Sequence, residues 1–192
     1  MKRILPIAVV TAALFAAGSA LAAPEAYTVD PRHTLPTFEV LHFGFSMQRG
    51  RFNKTSGRVV IDFAARKGSA EIAIEAVSVS TGIDALDERI RGEDFLNAAN
   101  YPVVTFKSDN FAFDGERLKS LTGELTMNGV TRPVTFTVNT FGCMPHPMLK
   151  RKVCGCDILA TIKVSDFAMK YSSPYVANDV TLRIGVEALK EE

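Results

Sequence analysis

Three cysteines and a histidine that lie close together could carry thiol or metal chemistry. They occupy the segment from Cys143 to Cys156, which reads C-M-P-H-P-M-L-K-R-K-V-C-G-C and includes His146 and Cys154. In an exported chain, a disulfide is the default expectation for such cysteines. A bond between Cys143 and Cys154 would close a short proline-containing loop, whereas Cys154 and Cys156 are too close for an easy unstrained bridge. We therefore expect Cys156 to be the thiol left over.

The alternative chemistry for this segment is a metal site. Cys143, His146, Cys154 and Cys156 would supply four soft or borderline ligands. Their spacing, C-x2-H-x7-C-x-C, matches no strong zinc signature. We therefore expect no metal.

Candidates for acid–base chemistry are few. Asp30 and His33 flank Pro31, a position that favours capping of backbone groups in a turn over proton transfer. Further along, Asp87 and Arg91 are spaced for an i,i+4 ion pair, which is typical of a solvated helix face. The sequence has no G-x-S-x-G, no H-E-x-x-H and no glycine-rich phosphate loop after a strand. We expect a protein that is not an enzyme and needs no cofactor.

The elements that must position these residues are strands, because apolar and polar residues alternate repeatedly between Thr37 and Val186. Asp114-Gly115 and Asn128-Gly129 are tight turns of the kind that join neighbouring antiparallel strands. The pattern predicts an all-β fold, an eight-stranded antiparallel barrel whose interior holds side chains or one small ligand. The alternating runs are Phe38-Val40-His42, Val59-Ile61-Phe63, Ile72-Ile74-Ala76, Val104-Phe106, Leu125-Met127, Val134-Phe136-Val138 and Val180-Leu182-Ile184-Val186.

One segment breaks the alternation and predicts a single short helix. Ile83, Leu86 and Ile90 recur at i, i+3 and i+7, Asp84 can cap the start, and Gly92 ends the run.

Upstream of this helix the pattern predicts three longer strands. Two of them, over residues 37–43 and 57–63, are expected to be joined by a basic, glycine-containing connection over 44–56. The third is expected to run without interruption over residues 70–79.

The first 22 residues are typical of a secretory signal peptide. Lys2 and Arg3 form a basic start, an apolar stretch covers residues 4–17, and small residues lead to a cleavage site after Ala22. The apolar run is shorter than the roughly 20 residues that a membrane-spanning helix needs. We therefore expect a periplasmic protein whose mature domain spans residues 23–192.

The charge of the mature chain excludes some functions. Loss of Lys2 and Arg3 leaves 20 of the 22 basic residues against 21 acidic ones, a formal charge of −1. This balance gives neither a nucleic-acid footprint nor a polybasic membrane patch, so no nucleic acid is expected as a partner. No linker rich in glycine, serine or proline divides the chain, and we expect one domain.

Several motifs in combination match a known pattern. They are Tyr27-Thr-Val-Asp-Pro-Arg-His-Thr, Phe38-x-Val40-x-His42, Gly50-Arg-Phe52, Gly57-x-Val59, Asp94-Phe95-Leu-Asn, Tyr101-Pro-x-Val104-Thr-Phe106-x-Ser108 and Leu121-Thr-Gly-Glu-Leu-Thr-Met-Asn-Gly129-Val-Thr-Arg-Pro133-Val. The sequence resembles the YceI-like family, bacterial lipocalin-like periplasmic proteins associated with polyisoprenoid binding. The resemblance covers essentially all of the mature chain.

The resemblance implies an elongated, lipocalin-like barrel that is capped by a helix and holds an isoprenoid chain in an apolar tunnel. Family members with a similar paired-cysteine loop support the Cys143–Cys154 bond. The chain also departs from the family pattern. Leu86 and Arg89 stand where the pattern has arginine and histidine, and Ala168 stands where glycine is usual.

The predicted function is therefore that of a periplasmic carrier for a long isoprenoid lipid of the quinone or prenyl phosphate type. Two alternatives stay open: a thiol- or metal-linked redox or stress protein that uses the Cys143–Cys156 loop, and a ligand-free interaction module. Transient contact with the inner membrane and a homodimer also stay open. The expected tunnel wall, with His42 as its best polar contact, is Phe38, Val40, His42, Val59, Ile61, Ile74, Phe106, Leu125, Phe136 and Leu182.

Overall fold

The computed structural model of the protein describes residues 23–170 and 175–192, which form a closed β-barrel. The expected signal peptide lies outside these residues. Within them one α-helix is present, α1 (Asp84–Arg91), and 3₁₀ turns cover Ala76–Ser78 and Val164–Phe167. The strands are β1 (Glu25–Val29), β2 (Thr37–His42), β3 (Ser46–Phe52), β4 (Thr55–Asp62), β5 (Lys67–Glu75), β6 (Val79–Ser80), β7 (Val103–Asp114), β8 (Arg117–Met127), β9 (Val130–Pro145), β10 (Lys152–Lys163) and β11 (Val176–Lys190).

Eight strands of the described chain close the ring, in the order β1-β4-β5-β7-β8-β9-β10-β11. The ring closes where the end of β11 pairs with β1, with Lys190 opposite Tyr27 and Ala188 opposite Val29. Neighbouring strands are antiparallel throughout. The predicted eight-stranded antiparallel barrel with one short helix is confirmed.

The strands β2, β3 and β6 extend one end of the barrel. The first half of β11 pairs with β2, so that Leu182 lies opposite Phe38. The strand β3 then pairs with β2, and β6 pairs with β3. The predicted connection over residues 44–56 is wrong, because its central part forms β3. The predicted strand over 70–79 is also wrong in part, since a 3₁₀ turn separates β5 from β6.

The turn between β8 and β9 has the expected geometry. Asn128 and Gly129 both have positive φ, 49° and 74°, as a two-residue hairpin turn that follows the sheet twist requires. The Asn128 side chain also donates to the Phe167 carbonyl at 3.1 Å. This bond ties the turn to the 3₁₀ segment at the same end of the barrel.

The interior of the barrel has two apolar clusters. In the larger one, Phe106 and Phe136 meet edge to face with ring centroids 5.2 Å apart. The smaller one closes the far end of the barrel and is centred on Tyr27, which is completely buried, and on Ile61. In the described part of the chain, no helix is both long enough and apolar enough to cross a bilayer.

Candidate functional site

An apolar cavity of about 590 Å³ lies at the end of the barrel that carries α1 and the β2–β3 hairpin. Its size falls within the roughly 300–1,000 Å³ of small-molecule pockets, and it exceeds by far the roughly 30 Å³ that one water occupies in the liquid. A filled core without room for a ligand does not describe this barrel. The apolar wall is formed by Phe38, Val40, Phe52, Leu86, Ile90, Phe95, Leu96, Met127, Ile162, Val164, Met169, Val176, Val180 and Leu182.

The cavity opens to solvent beside the turn between β2 and β3. Phe43, Ile83 and Tyr175 line the cavity, yet their side chains are 50%, 54% and 56% exposed. Phe43 and Tyr175 contact each other with ring centroids 5.5 Å apart. The Phe43 amide also donates to the Tyr175 carbonyl at 2.7 Å, which holds the two sides of this rim together.

The side wall of the cavity depends on a glycine. Phe38 on β2 faces Gly50 on β3, and a Cβ at Gly50 would overlap the Phe38 ring. The missing side chain lets the ring lie against the β3 backbone. There it meets Phe52, with ring centroids 6.0 Å apart.

The helix α1 closes the other side of the mouth, and hydrogen bonds to the segment that precedes it hold it in place. Asp87 Oδ1 accepts hydrogen bonds from the amide and the hydroxyl of Thr81, at 2.6 and 2.7 Å. Arg91 donates to the carbonyls of Val77 and Val79, at 3.0 and 2.9 Å. These bonds orient Leu86 and Ile90 toward the cavity.

Two details of the predicted helix are wrong. Asp87 is only 5% exposed and lies 3.9 Å from Arg91, so this pair is part of the attachment of α1 and not a solvated face. Asp84 does not cap the helix, since Ile83 is the residue before the first turn and no side-chain cap is formed. Asp84 instead adds negative charge to the first turn, where the helix dipole favours it.

Below the main cavity the barrel narrows to a second space of about 90 Å³. Phe52, Met127, Ile162 and Leu182 line both spaces and therefore separate them. The lower half of the barrel is a packed core, so the hollow does not run through the whole molecule.

The expected wall residues divide into three groups. Phe38, Val40, His42 and Leu182 line the main cavity. Ile74, Phe106, Leu125 and Phe136 lie deeper, where they are buried and line only the smaller space. Val59 and Ile61 line neither space, because they pack in the far cluster around Tyr27.

The sequence-based list omits several residues that line the main cavity. Ile162 continues the alternation of Ile158 and Ala160 on β10, and Val180 precedes Leu182 in the alternation on β11. The period of two along each strand could therefore have identified both residues as inward-facing. Leu86 and Ile90 belong to the apolar helix face that the sequence did indicate. Met169 follows the Val164–Phe167 turn, where no periodic pattern marks it.

The expected disulfide between Cys143 and Cys154 is confirmed, and these residues lie opposite each other on β9 and β10. The metal alternative loses two of its ligands to this bond. His146 Nδ1 instead accepts the backbone amides of Met148 and Leu149, at 3.2 and 3.1 Å, within the hairpin loop. Among the described residues, no group of three or more His, Cys, Asp or Glu side chains could hold a metal ion.

Cys156 is the free cysteine of the described chain. Burial, together with a smaller contribution from the nearby Asp157 carboxylate, raises the pKa of its thiol to about 12. At neutral pH the group is therefore a thiol, which is a poor nucleophile and a poor metal ligand. This chemistry gives no support to a redox function for the loop.

Asp30 and His33 have the expected local role. Asp30 accepts the Arg32 amide at 3.0 Å and contacts His33 Nδ1 at 2.9 Å, which fixes the turn after β1. The hydrogen bond from the Arg32 guanidinium is the main reason why the pKa of Asp30 lies well below its ordinary value, although burial opposes it.

The closed antiparallel barrel and its apolar cavity, which is open at one end, place this protein in the class of lipocalin-like barrels. A family model described as the YceI-like domain matches residues 27–188. The chain belongs to the YceI-like family. It is 34% identical over 182 residues to Protein YceI of Escherichia coli O6:H1, covering 93% of each chain. It is 32% identical over 194 residues to a UPF0312 protein of Pseudomonas aeruginosa strain LESB58, covering all of each chain.

Solved structures share the fold. The crystal structure of Burkholderia cenocepacia BcnA matches with a TM-score of 0.68 and 26% identity, over 83% of this chain and 98% of that one. A polyisoprenoid binding domain from Saccharophagus degradans matches with a TM-score of 0.63 and 19% identity, over 86% of this chain and 98% of that one.

Proposed function

We propose that this protein is a non-enzymatic periplasmic carrier that sequesters a long isoprenoid lipid, of the quinone or prenyl phosphate type. The observation that carries the proposal is the apolar cavity of about 590 Å³, open at one end and lined mostly by aliphatic and aromatic side chains. A hydrocarbon chain that enters such a cavity leaves water without needing polar partners along its length.

The dimensions of the cavity agree with a chain of several isoprene units. His42 on β2 and Phe52 on β3 line its upper and lower ends. The Phe52 amide donates to the Pro36 carbonyl, so Phe52 lies at the level of residue 36. The six regular strand steps of about 3.3 Å from His42 to residue 36 give a depth of about 20 Å. An extended isoprene unit, with four carbon–carbon bonds of about 1.5 Å, spans about 5 Å. The cavity therefore has the depth for about four units.

The energy of transfer is large enough for useful affinity. Each isoprene unit buries on the order of 100 Å² of apolar surface, which is worth about 2.5 kcal/mol before ordering costs. Three or four buried units give about 8 to 10 kcal/mol, enough for micromolar binding once part of this is lost to ordering.

A structural neighbour supports an isoprenoid ligand, and the disulfide supports a periplasmic location. The domain from Saccharophagus degradans that shares this fold is described as polyisoprenoid-binding. The Cys143–Cys154 bond agrees with an oxidising compartment.

Exposed aromatic side chains at the mouth support transient contact with the inner membrane. Phe45 is 81% exposed at the tip of the β2–β3 hairpin and stacks on Phe43, with ring centroids 6.1 Å apart. Exposed phenylalanine side chains can insert into the boundary between lipid head groups and acyl chains. Replacement of Phe45 by serine should weaken co-sedimentation with lipid vesicles, and unchanged sedimentation would argue against this contact.

Native mass spectrometry of protein purified from its own cell envelope tests the carrier proposal. We expect a co-purifying apolar molecule that is released on unfolding. An Ala177→Trp variant should carry less of it, because Ala177 lines the cavity and the larger ring would fill it. Ala65→Trp is a matched control in an exposed turn. Repeated absence of any apolar ligand from folded wild-type protein would contradict the proposal.

A further inference from the structure

The polar side chains around the cavity differ in whether their hydrogen-bonding groups are already used. Arg49 Nε lies 3.0 Å from the Glu39 carboxylate. Gln48 donates to the Ser46 hydroxyl at 3.3 Å, and the Thr81 hydroxyl bonds the buried aspartate of α1. These side chains already have partners within the protein.

Arg89 on α1 has no such partner. It lines the cavity and is exposed to water at the rim. Its guanidinium carbon lies 5.8 Å from the centroid of the Phe95 ring, which lines the same cavity. No carboxylate of the described residues forms an ion pair with it. Its positive charge is therefore available to a bound molecule.

The rest of the lining has no charge that would neutralise Arg89. None of the described residues that line the cavity is an aspartate or a glutamate. The other polar groups of the lining without a hydrogen-bond partner among the described residues are the Tyr175 hydroxyl and the His42 ring, which contacts the Phe43 ring at 4.1 Å between centroids. A negatively charged head group at this rim would gain a charge-assisted hydrogen bond, whereas a positively charged one would be repelled.

We propose that the mouth of the cavity selects lipids with an anionic head group, of the phosphate type, and that Arg89 provides this selectivity. The inference rests on the proposed carrier function and adds the class of head group to it. The tail supplies most of the affinity, and Arg89 discriminates between molecules with the same tail.

A matched pair of probes tests this selectivity. Geranylgeranyl phosphate and geranylgeraniol have the same tail and differ in the head group, and each can be titrated against a bound fluorescent apolar probe. We expect the phosphate to bind about tenfold more tightly at low salt, the scale of one charge-assisted hydrogen bond. High salt should reduce this preference. Inorganic phosphate alone should not displace the apolar probe, because it has no tail.

Variants assign the effect to Arg89. The Arg89→Leu variant should bind the phosphate only as tightly as the alcohol, with affinity for the alcohol changed less than twofold. Arg89→Lys should keep most of the preference, because it keeps the charge. Arg132→Leu removes an exposed arginine that lines neither space, and it should behave as the wild type.

The outcomes separate this inference from the carrier proposal. If the alcohol binds but the phosphate binds no more tightly, or if Arg89→Leu keeps the preference, the head-group inference is overturned and the carrier proposal stands. If inorganic phosphate alone displaces the probe, the anion site is independent of the lipid, and the inference is overturned as well. If neither lipid binds the folded wild type, both proposals fail.

Discussion

The narrowing between the two spaces of the barrel should set a limit on tail length. Phe52, Met127, Ile162 and Leu182 separate the main cavity from the space of about 90 Å³ beneath it. A main cavity about 20 Å deep takes about four isoprene units. Affinity for prenyl alcohols should therefore rise with each unit up to about four and then stop rising.

The Met127→Ala variant should move this limit. It removes side-chain atoms that line both spaces and joins them, so that one further isoprene unit can be buried. That unit is worth about 2.5 kcal/mol before ordering costs, and if half of it is lost to ordering the gain is about tenfold. The assay is competitive displacement of a fluorescent apolar probe by prenyl alcohols of three to six units.

The matched control is Ile61→Ala, which removes an aliphatic side chain from the far cluster that lines neither space. Both variants should lose about 2–5 kcal/mol of unfolding free energy, but only Met127→Ala should extend the limit. The reasoning is refuted if wild-type affinity keeps rising beyond five units, or if Met127→Ala has the same limit as the wild type.

Three further predictions concern stability. Replacement of Cys143 and Cys154 by serine opens a loop with a sequence separation of 11. Chain entropy predicts that the free energy of unfolding falls by about 3 kcal/mol, which corresponds to a drop of roughly 6–12 °C in the calorimetric Tm. A loss of unfolding free energy below about 1 kcal/mol would contradict this prediction. Ala168 has a positive φ of 56°, a left-handed conformation that glycine adopts without the steric cost that a Cβ brings. The Ala168→Gly variant should therefore gain about 1 kcal/mol of unfolding free energy in urea denaturation. An unchanged urea midpoint would show that Ala168 is not strained. Burial alone would raise the pKa of Glu25, but hydrogen bonds from Lys152, Lys190 and Tyr27 outweigh it and lower that pKa to about 2. The ionised Glu25 therefore stabilises the folded state at pH values above its ordinary pKa of 4.5. This stabilisation is lost as the pH falls toward 2. Thermal melts of Glu25→Gln should therefore show a lower Tm at neutral pH and a flatter decline in acid, and a decline as steep as the wild type would refute this assignment.

The barrel could be predicted because its ring strands bury one face, and this leaves a period of two in the sequence. The strand β3 left no such period, since Met47, Gln48, Arg49 and Arg51 are exposed. Its strand conformation comes from backbone hydrogen bonds to β2 and β6, which do not depend on side-chain type.

The candidate site could be predicted only in part, for a related reason. Alternation shows that Ile61 and Phe38 face inward, but not which level of the barrel each one reaches. Phe38 faces the open cavity, and Ile61 faces the closed end, because the pairing register of the strands decides the level. Likewise, the i,i+4 spacing of Asp87 and Arg91 gives no sign that Asp87 is buried against Thr81, a residue that precedes the helix.

The most direct test of the lipid-carrier account is a crystal structure of the protein loaded with geranylgeraniol. The account predicts density for the tail inside the main cavity, running from the level of His42 to that of Phe52 and ending above Met127. Density for the tail only on the outer surface of the barrel, or a cavity closed by the collapse of Phe38 and Phe52 with no ligand inside, would contradict it.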